Sequence, residues 1–222
     1  MSGKCYLCEE VYTKAGMTRH LKSCIEKNYL KKVNTEDKKK LYYYLVVEGK
    51  HRDNYWLHLQ VDADIILKIL DGFLREIWLE CCGHLSSFNI KGNTYSIKPM
   101  SDFDEYNMNY SLSELLAPES HFSYEYDFGS TTCLKLRVVD IFKAKGRERA
   151  ISILARNEKP VISCSYCGEP AIKVCPECLF QNKGWLCEKC SEKHGNIDCL
   201  VDSEMLLPVV NSPRTGTCAY SG

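Results

Sequence analysis

Between residues 41 and 142 the apolar positions switch between a period of two and helical spacing. "LYYYLVV" (41–47) is an aromatic and β-branched run. "YWLHLQV" (55–61) sets Tyr55, Leu57, Leu59 and Val61 on one face, so both segments read as strands. Ile66, Leu70, Phe73, Leu74, Ile77 and Trp78 then recur at helical spacing, predicting a long helix behind Asp62 or Asp64 as N-cap. "SSFNIKGNTYSI" reads as a hairpin turning at Gly92-Asn93, and Ser111 with Glu114 as a capping-box start to a short helix. "HFSYEYDFGSTTCLKLRVVDIF" (121–142) reads as two strands joined at Gly129. The fold class expected is α+β, a mixed, largely antiparallel sheet packed on one long helix, flanked by two small zinc-stabilised modules.

The texture differs on either side. Residues 5–24 form a compact Cys/His unit, and "IEKNYLKKVNTEDKKK" (25–40) is polar enough to be a helical extension passing into a linker. The domains expected are 1–40, a single Cys/His zinc finger with a charged linker; 41–160, the α+β domain; and 161–222, a double-zinc module with an ordered tail, the three joined by two flexible junctions. Residues 1–40 hold ten basic and five acidic side chains, whereas the whole chain balances 29 against 29. Attraction to phosphate therefore concentrates at the N-terminus, and the whole chain is no strong nucleic-acid binder. No apolar run reaches membrane-spanning length and "MSGKCYLCEE" has no signal-peptide core, so a cytoplasmic protein without membrane contact is expected.

Fourteen cysteines are the outlying number in 222 residues. In a reducing compartment clustered cysteines are metal ligands more often than disulfide partners, and most of these cluster. The C-terminal pattern is Cys164-x2-Cys167-x7-Cys175-x2-Cys178-x8-Cys187-x2-Cys190-x3-His194-x4-Cys199. Eight ligands at four per tetrahedral zinc make two zincs. Sequential pairing would put Cys164, Cys167, Cys175 and Cys178 on one metal. Alternating pairing would join Cys164 and Cys167 to Cys187 and Cys190, leaving Cys175, Cys178, His194 and Cys199. The alternating arrangement resembles the cross-brace of B-box-type zinc modules and is the one expected. A site closed by four protein ligands leaves no position for substrate, so these zincs read as structural.

At the N-terminus, Cys5-x2-Cys8-x11-His20-x3-Cys24 predicts a third structural zinc. The segment resembles a two-Cys/two-His finger with one residue fewer in the middle and Cys24 in place of the last histidine. Tyr12 and Met17 stand where such a finger keeps its core residues. Lys14, Arg19 and Lys22 can meet phosphate, although DNA-reading fingers usually act in tandem and this one stands alone.

"WLHLQV", the helix, "GHLSSFNIKGNTYS", "LSELL" and "FSYEYDFGS", in that order, resemble the plasmid pRiA4b ORF-three-like family. The matching positions are His84, Leu85, Phe88, Tyr95, Tyr124, Glu125, Tyr126, Asp127, Phe128 and Gly129. The tail "MLLPVVNSPRTGTCAY" (205–220) is like that of members with a zinc knuckle. The chain departs from the family pattern after Gly129, where "STTC" replaces Asp and Trp. The resemblance implies a fold and an association with plasmids and mobile elements, and no activity.

His84, His121, Glu125 and Asp127 are the candidates for a polar cluster in the central domain, with no nucleophile or phosphate loop beside them. Asp127 as a cap for the turn at Gly129 is the simpler reading. Cys81, Cys82 and Cys133 are expected to pack as small hydrophobes. Arg214 and Cys218 either dock on the zinc module or form a recognition surface. The function expected is that of a prokaryotic, non-enzymatic interaction protein that presents zinc-braced surfaces to a protein partner. The alternatives are nucleic-acid binding through residues 1–40 and, weakest, an enzyme centred on His84 and Asp127.

Overall fold

The computed structural model describes residues 1–30, 39–100, 105–194, 199 and 203–222, so the middle of the charged linker lies outside the described residues. The chain forms two compact units, Met1–Leu74 with Leu85–Glu158, and Arg75–His84 with Lys159–Gly222.

In the first unit the elements are β1 (Ser2–Cys5), β2 (Val11–Thr13), α1 (Lys14–Ile25), β3 (Lys39–Gly49), β4 (Trp56–Asp62), α2 (Leu67–Leu74), β5 (Ser86–Ile90), β6 (Asn93–Ser96), β7 (Tyr106–Asn107), α3 (Leu112–Leu115), β8 (His121–Tyr126), β9 (Thr132–Lys145) and β10 (Ile151–Asn157). They build one ten-stranded sheet in the order β2-β1-β10-β4-β3-β9-β8-β5-β6-β7. Its pairs are antiparallel except β6 with β7. The mixed, largely antiparallel α+β class is what the alternating strand patterns require.

The helix after β4 is not one long helix. It is α-helical only over Leu67–Leu74 and π-helical over Arg75–Leu79, a turn closed by the Glu80 N–H donating to Arg75 O at 2.8 Å. Gly72, a poor helix former, sits in its middle. The longest α-helix among the described residues is α1. Neither aspartate caps α2. Asp62 ends β4, binds Lys40 Nζ at 2.6 Å and accepts from the Asp64 N–H at 3.1 Å. The first N–H groups of α2 go instead to backbone oxygens of Tyr110 and Met108. That pairing is long-range, and no local pattern could specify it.

Burial explains β4. Every residue from Trp56 to Asp62 is buried, including His58 and Gln60, which the one-face pattern left exposed. The second face is covered: Trp56, Tyr42, Tyr44 and Val46 cluster with Met17, Leu21 and Ile25 of α1 and with Leu154 and Ala155 of β10. At about 1.5–3 kcal/mol for each fully buried large apolar side chain, this cluster is a major part of the core. The hairpin turns one residue earlier than expected, at Lys91-Gly92, both at positive φ as a tight two-residue turn demands.

The second unit contains β11 (Lys173–Val174), α4 (Pro176–Leu179), β12 (Trp185–Leu186), α5 (Glu188–Glu192) and β13 (Leu207–Pro208), with a small antiparallel sheet ordered β12-β11-β13. Its apolar clusters are small: one gathers Ala171, Val174 and Val209, the other Cys175, Leu186 and Leu206. Strands of two residues and clusters this size do not hold a fold by burial alone.

Candidate metal centres

The metal-ligand spacing recurs because one backbone device recurs. In Cys5-x2-Cys8 the Cys5 N–H donates to Glu10 O at 2.9 Å and the Glu9 N–H to Cys5 O at 2.8 Å. In Cys164-x2-Cys167 the Cys164 N–H donates to Glu169 O at 2.7 Å and the Gly168 N–H to Cys164 O at 3.1 Å. The residue after the second cysteine is left-handed in both, Glu9 at φ 69° and Gly168 at φ 82°. Folding back this way aims the two thiols at one point. The other two pairs use helix starts: Cys175 stands at the N-cap position of α4 and Cys187 at that of α5, each with its partner cysteine in the first turn.

Among the described residues, four groups of Cys and His lie with all their candidate ligand atoms within 4.8 Å of one another. The first is Cys5, Cys8, His20 and Cys24, the second Cys164, Cys167, Cys187 and Cys190, and the third Cys175, Cys178, His194 and Cys199. All twelve residues singled out by spacing fall in these three, and the C-terminal eight are gathered in the alternating order. The fourth group joins Cys81, Cys82, His84 and Cys218, none of which spacing had assigned to a metal.

These separations are those of a tetrahedral site. With Zn–S of about 2.3 Å and Zn–N of about 2.0 Å, two sulfurs on one zinc stand about 3.8 Å apart, and sulfur and nitrogen about 3.6 Å. The sulfur pairs Cys5–Cys24, Cys167–Cys187, Cys167–Cys190 and Cys175–Cys199 measure 4.0, 3.5, 3.8 and 3.7 Å. His20 Nε2 is 3.3 Å from Cys8 Sγ, and His194 Nε2 is 3.6 Å from Cys178 Sγ. Tyr12 stacks on the His20 ring at 4.1 Å between centroids and fixes its orientation.

The electrostatics call for a cation. Burial first, and then the neighbouring thiols, push Cys24 and Cys178 up to about 12. The hydrogen bond with Cys187, followed by burial, does the same to Cys190. Cys164 behaves oppositely: burial raises it, but backbone hydrogen bonds from Tyr166, Cys187 and Cys167 together pull it down to about 6. Burial lowers both His20 and His194 and so favours the neutral imidazole that ligates metal. Three or four thiols this close ionise together only around a positive charge, which a divalent metal supplies. The clusters are compatible with zinc.

The remaining candidates separate. Asp127, buried at φ 64°, accepts from the N–H groups of Gly129 at 3.1 Å and Ser130 at 3.2 Å, the turn-capping role. His84 belongs to the second unit, with Nε2 3.6 Å from Cys218 Sγ. His121 lines a cavity of about 210 Å³ with Glu48, Lys135 and Arg137, which holds neither His84 nor Asp127. Cys133 Sγ lies 3.7 Å from Glu125. Cys81 and Cys82 are not packed as small hydrophobes: Cys81 is half-buried and Cys82 exposed. The signal missed was "CCGH" itself, whose partner cysteine lies more than 130 residues downstream.

A sheet-based α+β protein bearing clusters of cysteine and histidine in metal-ligand geometry is the class defined by this fold and these sites. Within it, the chain belongs to the plasmid pRiA4b ORF-3-like protein family, whose model matches residues 41–165. The match spans β3 to β10; it leaves the first cluster outside, and of the eight residues in the two C-terminal clusters it includes only Cys164. No curated protein matches the chain. A crystal structure of a protein of unknown function from Methanosarcina mazei Go1 is similar at 17% identity and a TM-score of 0.45, over 52% of this chain and 68% of that one. No described helix is long and apolar enough to cross a membrane.

Proposed function

We propose that the chain is a zinc-structured, non-enzymatic protein-binding protein of the cytoplasm, where its thiols stay reduced. Zinc ions held by Cys5, Cys8, His20 and Cys24, by Cys164, Cys167, Cys187 and Cys190, and by Cys175, Cys178, His194 and Cys199 would each be closed by four protein ligands, leaving no open position for catalysis. The observation that carries protein binding is Phe180, 88% exposed, two residues after the ligand Cys178. A large aromatic held in water on a metal-braced turn is the kind of anchor that fills a partner's pocket. Balanced net charge fits a protein partner better than bulk nucleic acid. The family name associates the role with plasmid or mobile-element biology.

Nucleic-acid binding through the N-terminal finger is the weaker reading, because Lys14 is already engaged by Glu48 at 3.2 Å and by Asp53. Arg19 and Lys22 remain exposed on α1. An enzyme centred on His84 and Asp127 is weaker still, since Asp127 is committed to its turn.

The test is capture of tagged full-length protein from its host with nuclease present, comparing wild type, Phe180→Asp and the pair Arg19→Glu with Lys22→Glu. A specific protein retained by wild type and lost by Phe180→Asp at unchanged metal content is the expected result. Nucleic acid retained without nuclease and lost with the Arg19/Lys22 pair would replace it with the second reading. Deleting residues 1–40 is the wrong tool, because β1 pairs with β10 and its removal strips the sheet.

A further inference from the structure

Cys81, Cys82 and His84 follow directly on the π-helical segment in the run "ECCGH", and Cys218 stands 134 residues beyond His84. All four belong to the second unit, and their ligand atoms lie within 4.8 Å of one another. Cys82 Sγ is 3.9 Å from Cys218 Sγ, and Cys218 Sγ is 3.6 Å from His84 Nε2. These are the separations of the other three clusters and of a tetrahedral zinc, and about twice the ~2.05 Å of a disulfide. We propose that Cys81, Cys82, His84 and Cys218 form a fourth metal site, taking a tetrahedral divalent cation of the zinc class.

Three independent features support a built site. The loop is held by contacts made outside the ligand set. Arg75 donates to Glu80 Oε2 at 2.7 Å and to His84 O at 2.6 Å, and Glu80 Oε1 accepts from the Gly83 N–H at 2.6 Å. These contacts fix the backbone on both sides of Cys81 and Cys82, the support that ligands need from their surroundings. Backbone strain then falls on one ligating residue. Gly83 turns at φ 70° between Cys82 and His84, which a glycine does freely, whereas Cys218 itself adopts φ 53°, a region that disfavours a residue with a side chain. The charge also balances. Three thiolates around a divalent ion leave a net charge of −1, and the guanidinium of Arg214, fully buried, donates to Cys81 Sγ at 3.4 Å. A buried guanidinium donating to a ligand sulfur complements the negative charge that a metal-bound thiolate carries.

The tail is docked to meet this site. Ser212 Oγ donates to Trp78 O at 2.6 Å and accepts from the Arg214 N–H at 2.9 Å, and the Thr217 N–H donates to Arg214 O at 3.0 Å. A metal here clips the C-terminal tail to the Arg75–His84 excursion within one unit. It closes a loop of more than 130 residues, where a cross-link removes the most unfolded-state freedom.

The experiment is metal counting by native mass spectrometry on full-length protein purified anaerobically with zinc, joined to timed alkylation. Four zincs on wild type and three on Cys218→Ala is the expected result. Wild-type Cys82 and Cys218, exposed as they are, should also be protected from alkylation until a chelator is added. Three zincs on both proteins, rapid alkylation of Cys82 and Cys218 in the zinc-loaded wild type, or a Cys82–Cys218 disulfide would each overturn the proposal. The alkylation arm needs no variant, so a poorly folding Cys218→Ala does not blunt the test.

Discussion

The residue with the sharpest pH consequence is His58. It is fully buried, with Nδ1 hydrogen-bonded to the Tyr44 hydroxyl, and burial, then the Arg137 and Lys14 charges, lower it to about 3. The unfolded chain takes up that proton near 6.5, so between those values the unfolded state holds more protons. The stability His58 contributes is complete above pH 6.5 and is lost as pH falls toward 3, amounting to a few kcal/mol. His58→Asn should flatten the acid limb of a urea midpoint-versus-pH profile; a limb of unchanged slope would assign it to other groups. The ligand residues behave differently. Structural zinc bound as proposed would contribute roughly 10–16 kcal/mol of binding free energy to folding, so Cys187→Ala should lose one zinc and leave the interleaved third site more open to chelator. Zinc counts and chelator release rates read both effects. Loss of one zinc with unchanged release of the rest would mean that the two sites are energetically separate.

At the scale of elements, β1 is held by a close approach rather than by a hydrophobic stripe. A Cβ on Gly3 would stand 2.3 Å from both Arg156 O and the Trp56 ring. Gly3→Ala must therefore push β1 off β10 or displace a buried tryptophan, costing about 1–3 kcal/mol and accelerating amide exchange at Lys4 and Cys5. A stability change below about 0.5 kcal/mol would show that this edge yields freely. Strand legibility followed pattern strength. β3, β8 and β9 carry aromatic or alternating runs long enough to read, and the capping of α3 was visible in Ser111, whose N–H donates to Glu114 at 2.7 Å. β10 escaped because "ISILARN" mixes apolar and polar residues without clean alternation, and β1 because a glycine-bearing tetrapeptide has no pattern to read. α2 ended early because its continuation, as a π-helical turn, leads into contacts with a tail far away in sequence.

At the scale of the whole molecule the two units should answer differently to metal removal. The first carries a ten-stranded sheet with many buried large apolar side chains, whereas the second has a three-stranded sheet of two-residue strands. A strong chelator should therefore abolish amide protection in β11, α4, β12, α5 and β13 while β3, β4 and β9 stay protected, as hydrogen exchange read by mass spectrometry would show. Protection surviving at Val174 and Leu186 after complete zinc loss would mean that the small clusters around them suffice.

The sequence alone determined the strand-rich α+β character and the twelve spaced Cys and His residues that gather into three clusters, because both are written in local periods: two residues for a strand, Cys-x2-Cys for a knuckle. It also carried the family resemblance, since "FSYEYDFGS" is contiguous. Tertiary structure decided which half-sites share a metal cluster, since Cys164 and Cys187 meet only once β11 and β12 pair. It decided that both faces of β4 are buried, because the apolar residues of α1 pack on the second. It alone gathered Cys81, Cys82, His84 and Cys218. Convergence of side chains separated by most of the chain leaves no period in sequence, and it arises only when the docked tail and the folded excursion bring them to one point.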